Sequence, residues 1–556
     1  MRIIQFSKPL TKFQNTPNNE EPINLFCQYY IDKNEERREE IIQCLKKNIA
    51  NPYINHIYLL NEKIYTPSEL GLSILSEKII QVNISSRLKY KDVFQYISDN
   101  NINGYNVIIN SDIFLDYTIE RLRYSDIHLY KKMLALLRYE YNPMNISESK
   151  LFGPRFDSQD TWIIHSKQNI QNDSLKVFDF EFGKPGCDNK LIYLMNILGY
   201  EVINDPLTIK TYHCHSSQVR NYSNKNLIPN PYGFVQPANI NYLKNKPDLQ
   251  LSVIMHCNIY CKYKEIGFED NDTLRNYINN CFNKKKTFII PRIAGIENNF
   301  AYIGDTIENM VPTPNQKEYI DKTLLTMKNN AGIKITSIDS LIKYSQLYMD
   351  SFDNCEMYFG WEFHGNYIDH ILSSYRYMVT KYRKPKLWSM ALDIFHYIYS
   401  NPWTFALKGK KVLIVSAFEK SIQEKLTVRD KIYGIDLFPE CEIITICPPQ
   451  TQGNEVSDEF NIELDKFTEK LKPLDYDIAL VSCGGYGNLV CNEIYKQGKS
   501  VIYVGGVLQM YFGILGNRWI KERPDIVKLF VNEYWSRPKE NEKPKGHDKI
   551  ENSCYW

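Results

Sequence analysis

The chain has 556 residues, with 67 Lys+Arg set against 65 Asp+Glu for a formal net charge of +2, and 43% of its residues are hydrophobic. That length calls for more than one domain, each large enough to bury a core of its own. The charge balance excludes the broad basic footprint of a nucleic-acid binder, and 41 Tyr with 26 Phe are too many core formers for a disordered chain.

Charge and proline break the opening MRIIQFSKP before any apolar run of signal-peptide length, and no stretch reaches the ~18 apolar residues of a membrane helix. A cytoplasmic protein without a membrane partner is expected. Thirteen cysteines, an odd number, fit free thiols in a reducing compartment. The closest pairs, Cys257 with Cys261 and Cys483 with Cys491, lack the spacing of a zinc site.

Residues 36–47 (ERREEIIQCLKK) read as a charged helix with an Ile41, Ile42, Leu45 face, followed by strand-like runs at 56–60 and 78–82. Residues 91–98 read as a helix, 100–104 as a turn, and 105–110 (YNVIIN) as a buried strand ending in polar residues. This alternation predicts an α/β domain over 1–225, its sheet parallel or mixed, with ligands at the carboxyl ends of the strands. The run NKNLIPNPYGFVQP at 224–237 holds three prolines without periodicity, so 226–265 is expected to be a linker. Strand-like runs resume at 287–291, 357–361, 411–417, 442–447, 477–483 and 500–505, which predicts a second α/β domain over 266–535 with a mostly parallel sheet. The charged, Pro-containing residues 536–556 are expected to be a mobile tail. No fixed-period repeat joins the two halves.

Two groups of residues carry chemistry. In the first half, the strand at 105–109 runs into Asn110-Ser111-Asp112. A carboxylate at such a strand end can bind a divalent cation, although the same tripeptide also makes an ordinary turn or helix cap. Downstream stand Ser158-Gln159-Asp160-Thr161-Trp162, then GKPGCDNK at 183–190 opening a helix, then His213-Cys214-His215. A glycine loop at a helix start lets backbone approach an anionic ligand. His213 and His215 face one side if they lie on a strand, as a ligand pair or as satisfied core imidazoles.

This order resembles a glycosyltransferase of the GT-A type, of a subgroup seen in large viruses and some bacteria. The similarity spans roughly residues 20–225, with GKPGCDNK its most specific part. It implies transfer from a UDP-, GDP- or dTDP-linked sugar to a glycan or glycoprotein acceptor, with Mn2+ or Mg2+ as cofactor. Asp112, His213 and His215 become the candidate metal ligands, Asn110, Asp112 and Arg87 donor contacts, and Asp160, Lys184 and Asn189 further site residues. Asp188 becomes the candidate base, since sugar transfer needs a carboxylate to take the acceptor proton; a plain helix cap is its other reading. Asn110 stands where the family's motif has Asp, which removes one carboxylate from the cation site.

In the second half, PRIAGIENN at 291–299 delivers Arg292 and then Glu297 across a bend, and it resembles the entry element of GT-D glycosyltransferases with Gly295 in place of the first acid. That resemblance covers about residues 270–530 and implies a second transferase centre, with Glu297 catalytic and Arg292 on the donor. Gly484, Gly485 and Gly487, and Gly505 with Gly506, follow strand-like runs and offer backbone amides for phosphate, a role that ordinary strand-to-helix turns also explain. Arg518, before Trp519, is a further candidate or simply packs on an aromatic face.

The expectation is therefore a tandem, bifunctional glycosyltransferase acting in the cytoplasm of a host cell, or in a virion if the chain is viral; oligomerisation stays open. A non-catalytic glycan-binding scaffold on degenerate transferase domains is the alternative. A dinucleotide-dependent enzyme is disfavoured, because no GxGxxG turn precedes an acid about 20 residues on.

Overall fold

The computed structural model describes residues 2–12, 21–153, 155–217, 226–240, 268–307, 313–360, 368–399, 401–453, 455–550 and 553–556. They fall into two units that part between residues 240 and 268. Among the described residues no helix is long and apolar enough to cross a membrane, and the eleven described cysteines are free thiols.

The first unit contains, in chain order, β1 (Arg2–Phe6), β2 (Ile23–Cys27), α1 (Glu35–Ala50), β3 (His56–Asn61), β4 (Ile79–Asn83), α2 (Tyr90–Asp99), β5 (Tyr105–Ile109), β6 (Ile113–Leu115), β7 (Lys132–Leu136), β8 (Tyr139–Glu140), β9 (Lys150–Leu151), β10 (Thr161–His165), α3 (Cys187–Ile197), β11 (Glu201–Ile203), β12 (Thr211–His213) and β13 (Tyr232–Gln236). Seven strands form a mixed sheet in the order β11-β7-β10-β5-β2-β3-β4, in which β10 runs antiparallel to both neighbours. The central strands β2 (INLFC) and β5 (YNVII) are buried at every position, as strands covered by helices on both faces are, and their two polar residues pair with each other, Asn24 donating to Asn106 at 3.2 Å. The chain leaves β2 toward β3 and β4, then returns to β5 on the other side of β2. The carboxyl ends of β2 and β5 thus flank a switch point, where an open α/β sheet leaves room for a ligand.

Helix α1 starts at Asn34, whose side chain accepts from the Arg37 amide at 2.9 Å. Its buried face holds Arg37, Glu40, Ile41, Cys44, Leu45 and Asn48. Burying Ile41 and Leu45 contributes roughly 1.5–3 kcal/mol apiece, which helps offset taking Arg37 and Glu40 out of water. A smaller sheet, β6-β12-β8-β9, lies beside the main one. Its register pairs His213 with Ile113, and the Cys214 amide donates to the Asp112 carbonyl at 2.9 Å, which sets the histidines next to Asp112.

The second unit contains α4 (Phe268–Asn283), β14 (Ile289–Ile290), α5 (Gly295–Ile307), α6 (Pro314–Thr326), α7 (Ile338–Asp353), β15 (Tyr358–Gly360), α8 (Ile368–Lys381), β16 (Lys386–Trp388), β17 (Lys411–Ser416), α9 (Glu419–Lys425), β18 (Glu442–Ile446), α10 (Phe460–Leu471), β19 (Ile478–Ser482), α11 (Gly487–Lys496) and β20 (Ser500–Tyr503), with shorter turns between. Five strands pair in the order β14-β20-β19-β17-β18, every pair parallel. Both units are α/β, as expected, one on a mixed sheet and one on a parallel sheet.

Two boundaries differ from expectation. Residues 226–240, expected as linker, belong to the first unit: β13 pairs in parallel with β1, and Phe234 packs edge-on against Phe156 with ring centroids 5.4 Å apart. The short run YGFVQ has strand chemistry that the flanking prolines concealed. The remainder of the expected linker lies outside the described residues. The segment after 535, expected to be mobile, packs on the second unit instead. Ser536 bridges to Ile514, Ile550 and Trp556 are buried, and Glu542 accepts from the Lys420 and Ser421 amides at 2.7 and 3.2 Å. Its charges read as solvated, yet its Trp and Ile supply apolar area and its Glu caps α9.

Candidate functional site

At the carboxyl ends of β2, β3 and β5 the first unit holds a cavity of about 840 Å³. Of the expected site residues, Arg87, Asn110, Asp112, Asp160, Lys184, Asp188, Asn189, His213 and His215 all line it. The ligand atoms of Asp112, His213 and His215 lie within 4.8 Å of one another. The two imidazoles face the same side as expected, stacked at 5.0 Å, although β12 ends at His213.

These groups belong to one chain of alternating charges. His213 Nε2 lies 3.1 Å from Asp112 Oδ2, and His213 Nδ1 lies 3.1 Å from Glu140 Oε2. Glu140 accepts from Arg138 Nε at 3.0 Å, and Arg138 in turn pairs with Asp160. Asp160 Oδ1 accepts from Asn110 Nδ2 at 2.7 Å. On the other side Asp112 pairs with Arg37, which reaches Glu40 at 3.0 Å and His215 Nδ1 at 2.8 Å. Burial opposes the charged form of His213, but the carboxylates of Asp112 and Glu140 outweigh it and raise its pKa to about 9. Burial also acts to raise Asp112, yet His213 and Arg37 hold it well below the ordinary carboxylate range. Burial, together with the charges of Arg37 and His213, lowers His215, so a neutral ring accepts from Arg37 at Nδ1.

Asn110 is not part of the cation cluster. Its amide donates to Asp160, a bond that an aspartate in its place could not make without setting two carboxylates together.

Asp188 occupies the first turn of α3, whose cap is Gly186 in a left-handed conformation with φ 80°. Asp188 is therefore not the N-cap residue, although its carboxylate accepts from the first-turn Asn189 amide. Its Oδ2 accepts from the Gln159 amide at 3.2 Å. Burial, reinforced by the charge of Asp160, pushes its pKa up to about 7 against the pull of the Asn189 and Gln159 amides. Close by, Lys184 pairs with Glu181 at 3.4 Å, Arg87 donates to the Phe182 carbonyl at 2.9 Å, and Asn189 donates to the Asp157 carbonyl at 3.4 Å. Arg37, Arg138 and Glu140 were not singled out from sequence. Arg37 and Glu40 fall in helical register with Ile41, Cys44 and Asn48, the one signal that could have marked them as buried.

In the second unit Arg292 stands beyond β14 and Glu297 in the first turn of α5. The Asn488 amide brackets the Arg292 backbone, accepting at 3.1 Å and donating at 2.9 Å, and Arg292 Nη1 donates to the Val504 carbonyl at 3.1 Å. Tyr348 and Tyr503 lie near both charges: burial first, then Glu297, raises their hydroxyls, while Arg292 lowers them. The expected glycines are closely packed. A Cβ would meet Ile333 at 2.3 Å from Gly485, Tyr503 at 2.2 Å from Gly487, Arg292 at 2.1 Å from Gly505 and Tyr555 at 2.4 Å from Gly506, while Gly484 faces the Ala331 carbonyl. Arg518 packs on Tyr555 at 4.9 Å and donates to its hydroxyl at 3.0 Å, where the sequence pointed to Trp519.

No family model matches the chain, and no curated protein matches it. Among solved structures, it is similar to a mannosyltransferase from Pyrobaculum calidifontis in complex with GDP-Man and Mn2+, at 10% identity and a TM-score of 0.27, covering 38% of this chain and 62% of that one. This chain thus spans less than two thirds of that protein's length. A second match is 4-diphosphocytidyl-2C-methyl-D-erythritol synthase from Anaerococcus prevotii, at 11% identity and a TM-score of 0.23, covering 37% of this chain and 95% of that one. A third is HddC from Yersinia pseudotuberculosis, at 7% identity and a TM-score of 0.22, covering 34% and 93%.

Proposed function

We propose that the first unit transfers a sugar from a nucleotide-activated donor to a hydroxyl of a glycan acceptor. The observation that carries this reading is one cavity lined both by the Asp112, His213, His215 cluster and by Asp188, a half-buried carboxyl poised near neutral pH. The cluster's donor set, one carboxylate and two imidazoles, suits a transition ion such as Mn2+ better than Mg2+, which takes oxygen ligands. Bound there, the cation would neutralise the donor's diphosphate.

The chain's own residues do the rest. Asp188 takes the proton of the acceptor hydroxyl as its oxygen bonds to the anomeric carbon, and the bond from that carbon to the diphosphate breaks with its electrons leaving on oxygen. A pKa near 7 leaves a substantial ionised fraction at neutral pH and makes Asp188 a stronger base than an ordinary carboxylate. Asp160, which pairs with Arg138 and accepts from Asn110, adds its charge to the rise at Asp188. Lys184 and Arg87 stand on the cavity wall, where they can meet phosphate.

The test is nucleotide release from a panel of UDP-, GDP- and dTDP-sugars with Mn2+, in wild type and Asp188→Asn. Release that falls 10²-fold or more in the variant is expected. No release from any donor, or full release by the variant, rejects the reading.

For the second unit, a second transferase centre is supported by Arg292 and Glu297 standing after the first strand of an all-parallel sheet. A non-catalytic role as glycan binder or scaffold is favoured by the filled glycine loops, which leave their Cα faces against protein side chains. Glu297→Gln separates the two: loss of one donor activity with Asp188-dependent release intact supports the first, and unchanged chemistry supports the second.

A further inference from the structure

The guanidinium of Arg37 stands inside the Asp112, His213, His215 cluster. Its Nη2 pairs with Asp112 Oδ2, and its Nη1 lies 2.8 Å from His215 Nδ1, 3.0 Å from Glu40 Oε2 and 3.4 Å from the Cys214 carbonyl. Arg37 is 8% exposed, so these contacts replace most of its water. Arg37 thus occupies lone pairs on Asp112 and His215, two of the three residues that can each bring a ligand atom within 4.8 Å of the others. A divalent ion and a guanidinium therefore compete for the same two residues, and like charges at such spacing in a buried place repel strongly.

The same side chain has a second partner that is not a ligand. Glu40 is fixed by the Ser217 amide at 2.7 Å, the Ser217 hydroxyl at 2.9 Å and the Ser216 hydroxyl at 3.0 Å, directly after His215 in the chain. It already accepts from Arg37. Besides Arg37, the charged or titratable groups facing Asp112 are His213, His215 and the Cys44 thiol, with Glu40 and Glu140 behind the histidines.

We propose that Arg37 is an exchangeable internal cation, which satisfies Asp112 and His215 while the site lacks a metal ion and yields those atoms to the ion by drawing back onto Glu40. This rests on the reading of the cluster as a cation site, and it makes Arg37 and Glu40 positioning residues that set how tightly the site binds a cation.

The experiment is titration of the full chain with Mn2+, reading free Mn2+ by electron paramagnetic resonance, in wild type, Arg37→Met, Arg37→Lys, Glu40→Gln and Asp112→Asn. Expected are binding at least tenfold tighter in Arg37→Met, weaker binding in Glu40→Gln because the displaced guanidinium loses its alternative partner, and none in Asp112→Asn. Circular dichroism checks folding; if Arg37→Met does not fold, Glu40→Gln and Arg37→Lys carry the test, the latter expected to retain competition. Mn2+ binding abolished by Asp112→Asn but unchanged in the Arg37 and Glu40 variants overturns the role of Arg37 alone. Binding absent from wild type and Arg37→Met alike, or intact in Asp112→Asn, overturns the cation site and the exchange together.

Discussion

Glu140 Oε2 and His213 Nδ1 stand 3.1 Å apart, so the imidazole that faces Asp112 is held from behind by a carboxylate. Such a partner orients a ligating ring and raises its basicity, and its loss typically weakens metal binding 10–100-fold. Glu140→Gln should reduce Mn2+ affinity by about that factor while leaving the fold intact, checked by Mn2+ titration beside a circular dichroism spectrum.

As the proposed base, Asp188 would link activity to stability through pH. Its folded pKa, about 7, stands above the ordinary 3.8, so the fold prefers the protonated carboxyl. The stability it lends is present below about pH 4 and is lost as pH rises through 7, on the order of 4 kcal/mol in all. Asp188→Asn should therefore raise the melting temperature at pH 8 and leave it nearly unchanged at pH 4, while lowering nucleotide release about 10²-fold or more. In wild type the rate should climb with pH through about 7 and level off above it, read from initial rates of nucleotide release across buffers.

Gly487 opens α11 with an ordinary helical φ of −50°, where alanine would normally add roughly 0.5–1 kcal/mol of stability. Here the added methyl would meet the buried Tyr503 ring at 2.2 Å, an overlap that cannot be relieved without moving the ring. Overpacking costs about 1–3 kcal/mol and should win, so Gly487→Ala is expected to lower the urea midpoint of the second unit.

Glu542 ties the segment after residue 535 to α9 through two amides and the Ser421 hydroxyl. Glu542→Ala should cost about 1 kcal/mol and speed hydrogen exchange at Lys420 and Ser421, measured by mass spectrometry on peptides spanning them.

The contrast between Asp188 and Arg37 shows what the sequence makes legible. Asp188 follows a glycine turn and opens an apolar helix, and both signals are local. Arg37 sits in ERREE, four charges around one Arg that look like any solvated helix face. It is buried by Asp112 and His215, which arrive 75 and 178 residues later in the chain. Arg138 is hidden in the same way, since its partners depend on β7 and β10 pairing side by side. The alternating strands and the two-unit division follow from periodicity, whereas β13 hides among prolines and the second unit's last segment hides behind its charge.

The chain of side chains from Asn110 to Glu40 holds the cations Arg37, Arg138 and His213 against the anions Glu40, Asp112, Glu140 and Asp160, a nearly closed charge balance. A diphosphate entering alone meets few unspent positive groups, and a divalent ion entering alone must break pairs already made. On the proposed function each guest would supply what the other lacks, so their binding is expected to be cooperative: a coupling free energy would join them, and affinity measured for either one singly would understate the affinity for both.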